Sequence, residues 1–182
     1  MKASNLMPLT SPGDMSKSRA LAERFFSSSS DLPIAFVIDG KAINGIPKEW
    51  QPVSHRRRID ANISETIFDG TDAGTGLNVR VECTEYHDYP VVEWVAWFTN
   101  KGRGPTPVIR DILALDGAFT GVSPVLYHCN GDFASAESYT PQETPLRAGS
   151  GIGFAPQGGR ACDGAFPYYR VRFRDWGFSL AI

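Results

Sequence analysis

Four carboxylates, Asp132, Glu137, Glu143 and Asp163, fall within one polar, glycine- and proline-rich span, CNGDFASAESYTPQETPLRAGSGIGFAPQGGRACDGAF. Hydrolysis of a glycosidic bond needs two such groups, one on each side of the scissile bond. Spacing alone does not set any two of the four across a cleft, and aspartate in a loop most often caps a turn. Aromatic residues add to the pattern. A sugar presents apolar C–H faces rimmed by hydroxyls, which suits flat rings beside forked donors and carboxylates. Trp97, Tyr139, Trp176 and Arg160 supply the rings and the fork, although aromatic residues on strands usually belong to a core.

Other chemistries find no support in the spacing. There is no GxSxG elbow, and Ser150 in AGSGIG has no histidine nearby, which argues against a serine hydrolase. Gly149, Gly151 and Gly153 alternate as a nucleotide loop begins, but without the strand-to-helix setting they read as a turn. His55, His87 and His128 are scattered, and Cys83, Cys129 and Cys162 form neither a redox pair nor a zinc pattern. A metal site would need a coincidence of folding to bring these residues together. Arg170, Arg172 and Arg174 alternate along one strand face. That arrangement suits an anion, or more commonly a solvated or ion-paired surface.

A chain of 182 residues is most naturally one domain, and at this size about 70% of the unfolded surface is buried on folding. Hydrophobic residues make up 42%, aromatics 12% and charged residues 21%, a globular composition that argues against disorder or a nucleic-acid arm. The formal net charge of -2 implies no polyanionic partner such as nucleic acid. No apolar run approaches the ~20 residues that cross a bilayer. The start MKASNLMPLTSPGDMSKS lacks the apolar centre of a secretion signal. The chain therefore reads as soluble and cytoplasmic with no membrane partner, or as secreted or periplasmic if its N-terminus is incomplete.

The elements that must position these residues follow from periodicity. Residues 1–30 read as a prelude, with a short helical pattern in SKSRALAERFF, where Leu21 and Phe25 lie four apart, before a serine loop. From LPIAFVIDG onward the period is two. Ile59, Ala61, Ile63 and Ile67 alternate with polar residues as a half-buried antiparallel strand does. The turn-rich DGTDAGTG and the strand LNVRVECTEY then complete a hairpin, with Leu77, Val79, Val81 and Cys83 on its inward side. Trp94 and Trp97 have opposite parity and must point to opposite faces of a sheet. VIRDILALD, SPVLYH, PYYRVRFRD and GFSLAI read as further strands. Many short strands with no βαβ alternation indicate an antiparallel sandwich over residues 31–182, without an internal boundary.

The ordered phrases LPIAFVIDGKAINGIPKEW, TGLNVRVECTEYHDYPVVEWVAWFTNKG, TPVIRDILALD, YHCNGDFASAESYTPQETPL and APQGGRACDGAFPYYRVRF together resemble one family. It is the family 36 glycoside hydrolases of the bacterial α-galactosidase, or melibiase, type, and the resemblance is to their N-terminal β-sandwich domain. It covers about residues 20 to 182, with VEWVAWFTNKG the clearest match. The resemblance implies an all-β, antiparallel β-supersandwich of the galactose-mutarotase-like kind, behind a short helical prelude. In the family the two catalytic aspartates, a nucleophile and an acid/base, lie in a (β/α)8 barrel that follows the last strand. No such segment follows Ile182, so the chain reads as a non-catalytic domain cut inside or just after its final strand.

The implied parent reaction is hydrolysis of a terminal α-galactosidic bond with retention, without metal or cofactor. This chain alone would not perform it. The implied partners are the catalytic barrel of the same parent chain and an α-galactoside or oligosaccharide, and a homo-oligomer is compatible with both. The loop around Asp132, with Tyr139 behind it, is the part expected to approach the sugar, and Arg160 and Trp97 are further substrate-proximal candidates. A free-standing, lectin-like carbohydrate-binding sandwich is the alternative. A sandwich that only mediates oligomerisation is a third reading.

Overall fold

A computed structural model describes residues 11–132 and 134–182; most of the start MKASNLMPLTSPGDMSKS lies outside them. Helix α1 (Pro12–Phe25) begins at a reciprocal cap. The Ser11 hydroxyl accepts from the Asp14 amide, and the Asp14 carboxylate accepts from the Ser11 amide at 3.0 Å. Together with Pro12 at the first turn, this satisfies amides that a helix start leaves unpaired. The Ser11 hydroxyl also donates to the Asp14 carboxylate at 2.7 Å, and this bond first, then the one from the Ser11 amide, holds the Asp14 carboxyl below its ordinary value. Ser18, Ala22 and Phe25 form the buried stripe.

The chain divides into two compact units, Met1–Gly117 and Ala118–Ile182. In the first, β1 (Ala35–Ile38) and β2 (Lys41–Asn44) form a hairpin around Asp39-Gly40, both at positive φ. Asp-Gly suits that two-residue turn because its backbone twist matches that of the strands. β3 (Val53–Arg58), β4 (Ile63–Thr71), β5 (Leu77–Tyr86) and β6 (Val92–Asn100) make an antiparallel meander. β7 (Ile109–Leu113) returns to pair with β1, so the smaller sheet runs β2-β1-β7.

The two sheets of this unit face each other across an apolar layer. Phe36 of β1 meets Phe98 of β6 edge-on at 5.1 Å and lies 6.3 Å from Trp50. Leu77, Val79, Val81 and Cys83 are buried along β5, as their alternation predicts. Each fully buried aliphatic side chain contributes about 1.5–3 kcal/mol. Burial pushes the Cys83 thiol up to about 12, which keeps it protonated and inert. Trp94 points inward, meeting Phe25 and Phe26 at 6.1 and 6.0 Å and donating from its indole N–H to the Ala114 carbonyl at 2.7 Å. Trp97 points outward, so the parity reading of the two tryptophans holds.

The isoleucine pattern before β5 requires correction. Residues 59–62 precede the strand, and within β4 the buried side is Ser64, Thr66, Phe68 and Gly70, not Ile63 and Ile67. Register decides this: Thr66 and Phe68 lie opposite Cys83 and Val81, whose side of the sheet is the covered one. Ser64 accommodates its burial through a 2.8 Å hydrogen bond with His87 Nε2.

The second unit is one antiparallel sheet in the order β11-β10-β8-β9, formed by β8 (Val125–His128), β9 (Gln142–Pro145), β10 (Tyr168–Arg172) and β11 (Gly177–Ala181). Its inward side is aromatic. Phe119 packs on Phe178 at 4.3 Å, Phe154 lies between His128 and Tyr169, and Phe173 stacks on Trp176 at 4.6 Å. Leu126, His128 and Phe173 are buried there. Apart from α1 and a 3-10 turn at Lys48–Trp50, the regular structure among the described residues is antiparallel β. Among the described residues no helix is long and apolar enough to cross a membrane.

Candidate functional site

Three segments of the second unit are drawn together by backbone pairing. Gly131 bridges Asp163, the Asp132 amide donates to the Cys162 carbonyl at 2.9 Å, and the Tyr139 amide donates to the Gly131 carbonyl at 3.0 Å. Glycine is required at 131: its φ is +75°, and a Cβ there would run into the Cys162 backbone. Asp132, Tyr139 and Arg160, three of the four sequence-predicted residues, therefore sit on one knot of chain.

Each of the three is held by its own local chemistry. Asp132 Oδ1 accepts from the Ala134 amide at 2.9 Å and from the Ser138 hydroxyl at 3.2 Å. It is the residue that shapes the loop. Ala134 and Tyr139 both take positive φ, +57° and +61°, a conformation that costs a non-glycine residue about 1–2 kcal/mol. Such strain persists where surrounding bonds over-determine it, and it gathers at binding sites.

Tyr139 is 49% exposed and packs edge-on against Phe166 at 5.6 Å. Its hydroxyl is held above the ordinary tyrosine value by desolvation first, then by Cys162 and Asp132 beside it, and so remains a proton donor. Arg160 reaches Asp163 at 2.7 Å from a turn closed by the Gln157 amide on the Asp163 carbonyl. The guanidinium is mostly exposed and keeps donors available beyond that pair.

The knot thus offers an exposed phenol ring and hydroxyl, a forked donor and two carboxylates, types that hold a polar ring by stacking and hydrogen bonds. Both carboxylates are already engaged, Asp132 in its loop and Asp163 with Arg160. Glu137 lies elsewhere in the same loop and Glu143 on β9. Trp176 is half-buried in the aromatic layer with Phe173 and Phe178 and offers no open platform. Cys162 and Phe166 complete the knot and were not singled out from the sequence.

Trp97, the fourth candidate, lies in the first unit on the outward face of its larger sheet, 54% exposed. Register sets it in a row with Arg80, Asp69 and Val53. Arg80 pairs with Glu82 at 2.6 Å, and Lys101 lies 3.6 Å from Asp69. Among the described residues, no group of three or more His, Cys, Asp or Glu is arranged to hold a metal ion. No family model matches the sequence, and no curated protein and no solved structure matches it.

Proposed function

We propose that this chain is the non-catalytic N-terminal β-sandwich of an α-galactosidase-like, retaining glycoside hydrolase, which packs against a (β/α)8 barrel and lends it a loop. The observation that carries this reading is the convergence of Asp132, Tyr139 and Arg160 on the Gly131–Asp163 bridge. A ring, a fork and an oriented loop suit one pyranose, while the bond-breaking carboxylates come from the barrel. In this reading Asp132 orients the loop, Tyr139 supplies the stacking face and a hydroxyl donor, and Arg160 binds sugar hydroxyls.

The test extends the reading frame beyond codon 182 and assays the product on an aryl α-galactoside. The expected protein carries the barrel and cleaves with retention, and Tyr139→Ala or Arg160→Ala within it lowers kcat/KM about tenfold, or about 1.4 kcal/mol. Those positions are preferable to Asp132, whose removal would also release Ala134 and Ser138. An unchanged kcat/KM in both variants would exclude the lent loop. A frame that opens into something other than a barrel would exclude the galactosidase parent.

A second reading, a free-standing lectin-like sandwich, is favoured by the exposed Trp97 beside Arg80. It requires that the chain bind galactose unaided and that Trp97→Ala abolish the binding.

A further inference from the structure

The arginine alternation read from the sequence has a specific setting on β10. Arg170 and Arg172 lie on the exposed side of the second unit's sheet with Tyr168, which is 56% exposed. Tyr127 of β8 is the direct partner of Arg170, and both guanidiniums flank its ring, 5.9 and 5.5 Å from the centroid. A guanidinium near an aromatic face is attracted by the ring quadrupole and loses part of its conformational freedom beforehand.

Among the described residues neither arginine forms an ion pair. Glu143, opposite Tyr127 on β9, does not reach them either. The two positions are two residues apart on one strand, about 6.6 Å, so two fixed cations wait at a defined spacing. Tyrosine and arginine are the types enriched where protein surfaces meet, while lysine and glutamate are depleted there. The patch is also continuous with the knot: Tyr168 lies 6.3 Å from Phe166, which packs on Tyr139.

We propose that this outward face of the β11-β10-β8-β9 sheet docks an acidic protein surface, with Arg170 and Arg172 each taking one carboxylate and Tyr168 packing at the margin. Glutamates one turn apart on a helix lie about 5–6 Å from each other, close to the spacing of the two guanidiniums. The proposal rests on the reading above for the identity of the partner, which is then the catalytic barrel; the charge match itself does not depend on that reading.

The probe is a helical peptide with glutamate pairs at i and i+4, titrated into the full chain by fluorescence anisotropy. The expected result is binding that weakens as salt rises and falls about tenfold or more in the Arg170→Gln/Arg172→Gln double variant. The Arg→Lys double variant should recover only part of it, because lysine lacks the planar fork. A peptide with every glutamate replaced by glutamine should not bind. Circular dichroism checks that the variants fold, and the single Arg172→Gln variant serves if the double one does not. Equal peptide binding by folded variant and parent overturns the proposal. So does inorganic phosphate binding as tightly as the peptide, which marks a small-anion site. Self-association that Arg170→Gln abolishes also overturns it, by making the occupant a second copy of the chain. No galactoside enters this assay, so its failure leaves the galactosidase reading standing, and failure of that reading leaves the peptide result intact.

Discussion

At the scale of single residues, the side chains with candidate chemistry are those whose hydrogen bonds are spent on holding a loop. Asp132 is one of four loop carboxylates, and its Oδ1 accepts from the Ala134 amide and the Ser138 hydroxyl, the turn-capping role that a loop aspartate most often takes. His128 illustrates a purely structural role. Its Nε2 lies 3.0 Å from the Thr144 hydroxyl, its Nδ1 is buried with no hydrogen-bond partner among the described residues, and burial lowers its affinity for a proton. The folded-state value lies below the ordinary 6.5, so on acidification the unfolded chain takes up the proton first. The second unit should therefore keep its full stability above about pH 6.5 and lose it progressively as pH falls below that value. His128→Gln should flatten that part of the curve in urea titrations between pH 7 and pH 5. An unchanged pH dependence would show that His128 is not the group responsible.

At the scale of elements, glycine positions set how closely loops approach. The β4–β5 turn and the loop after β6 together line an open cleft of about 760 Å³, and their backbones touch at Gly76 and Gly102. Gly76 has φ +77°, and a Cβ there would come within 2.5 Å of the Gly102 Cα. Gly40 shares the conformation at φ +80° but has open space around it. Gly40→Ala should thus cost about 1 kcal/mol, from the left-handed backbone alone. Gly76→Ala should cost about 2–3 kcal/mol, because strain and collision add. Urea midpoints of the two variants decide this, and equal losses would refute the close approach.

Legibility of the elements followed the same physics. β5 was readable because its inward side is uniformly apolar. β3 was not, since all of VSHRRR is exposed and shows no alternation, and β9 was hidden by the polar, proline-ended QETP. Both are edge strands, where polar residues are tolerated and proline's missing N–H is harmless. The faces of β4 were misread because Ser64 and Thr66 are buried through register with Glu85 and Cys83, a long-range pairing that a local pattern does not contain.

At the scale of the whole molecule, the two units differ in how their sheets are covered. The first has two facing sheets with Val79 and Val81 fully buried between them. In the second, β10 and β11 alternate between exposed and half-buried residues. Opening free energies follow buried apolar contact. Amide hydrogen exchange should be slowest along Val79–Cys83 and faster by about tenfold or more on β10 and β11, and the reverse order would contradict this account of the cores. The sequence by itself determined the antiparallel class, the β4–β5 hairpin, the inward side of β5 and the opposed tryptophans, because each depends on residues within a few positions of one another. Only the tertiary structure decided that Asp132, Tyr139 and Arg160 share a knot, that Trp176 is structural, and that Arg170 and Arg172 flank one tyrosine without an acid. Those juxtapositions arise from strand register and backbone pairing between distant segments, and periodicity along the chain carries no record of which strand lies beside which.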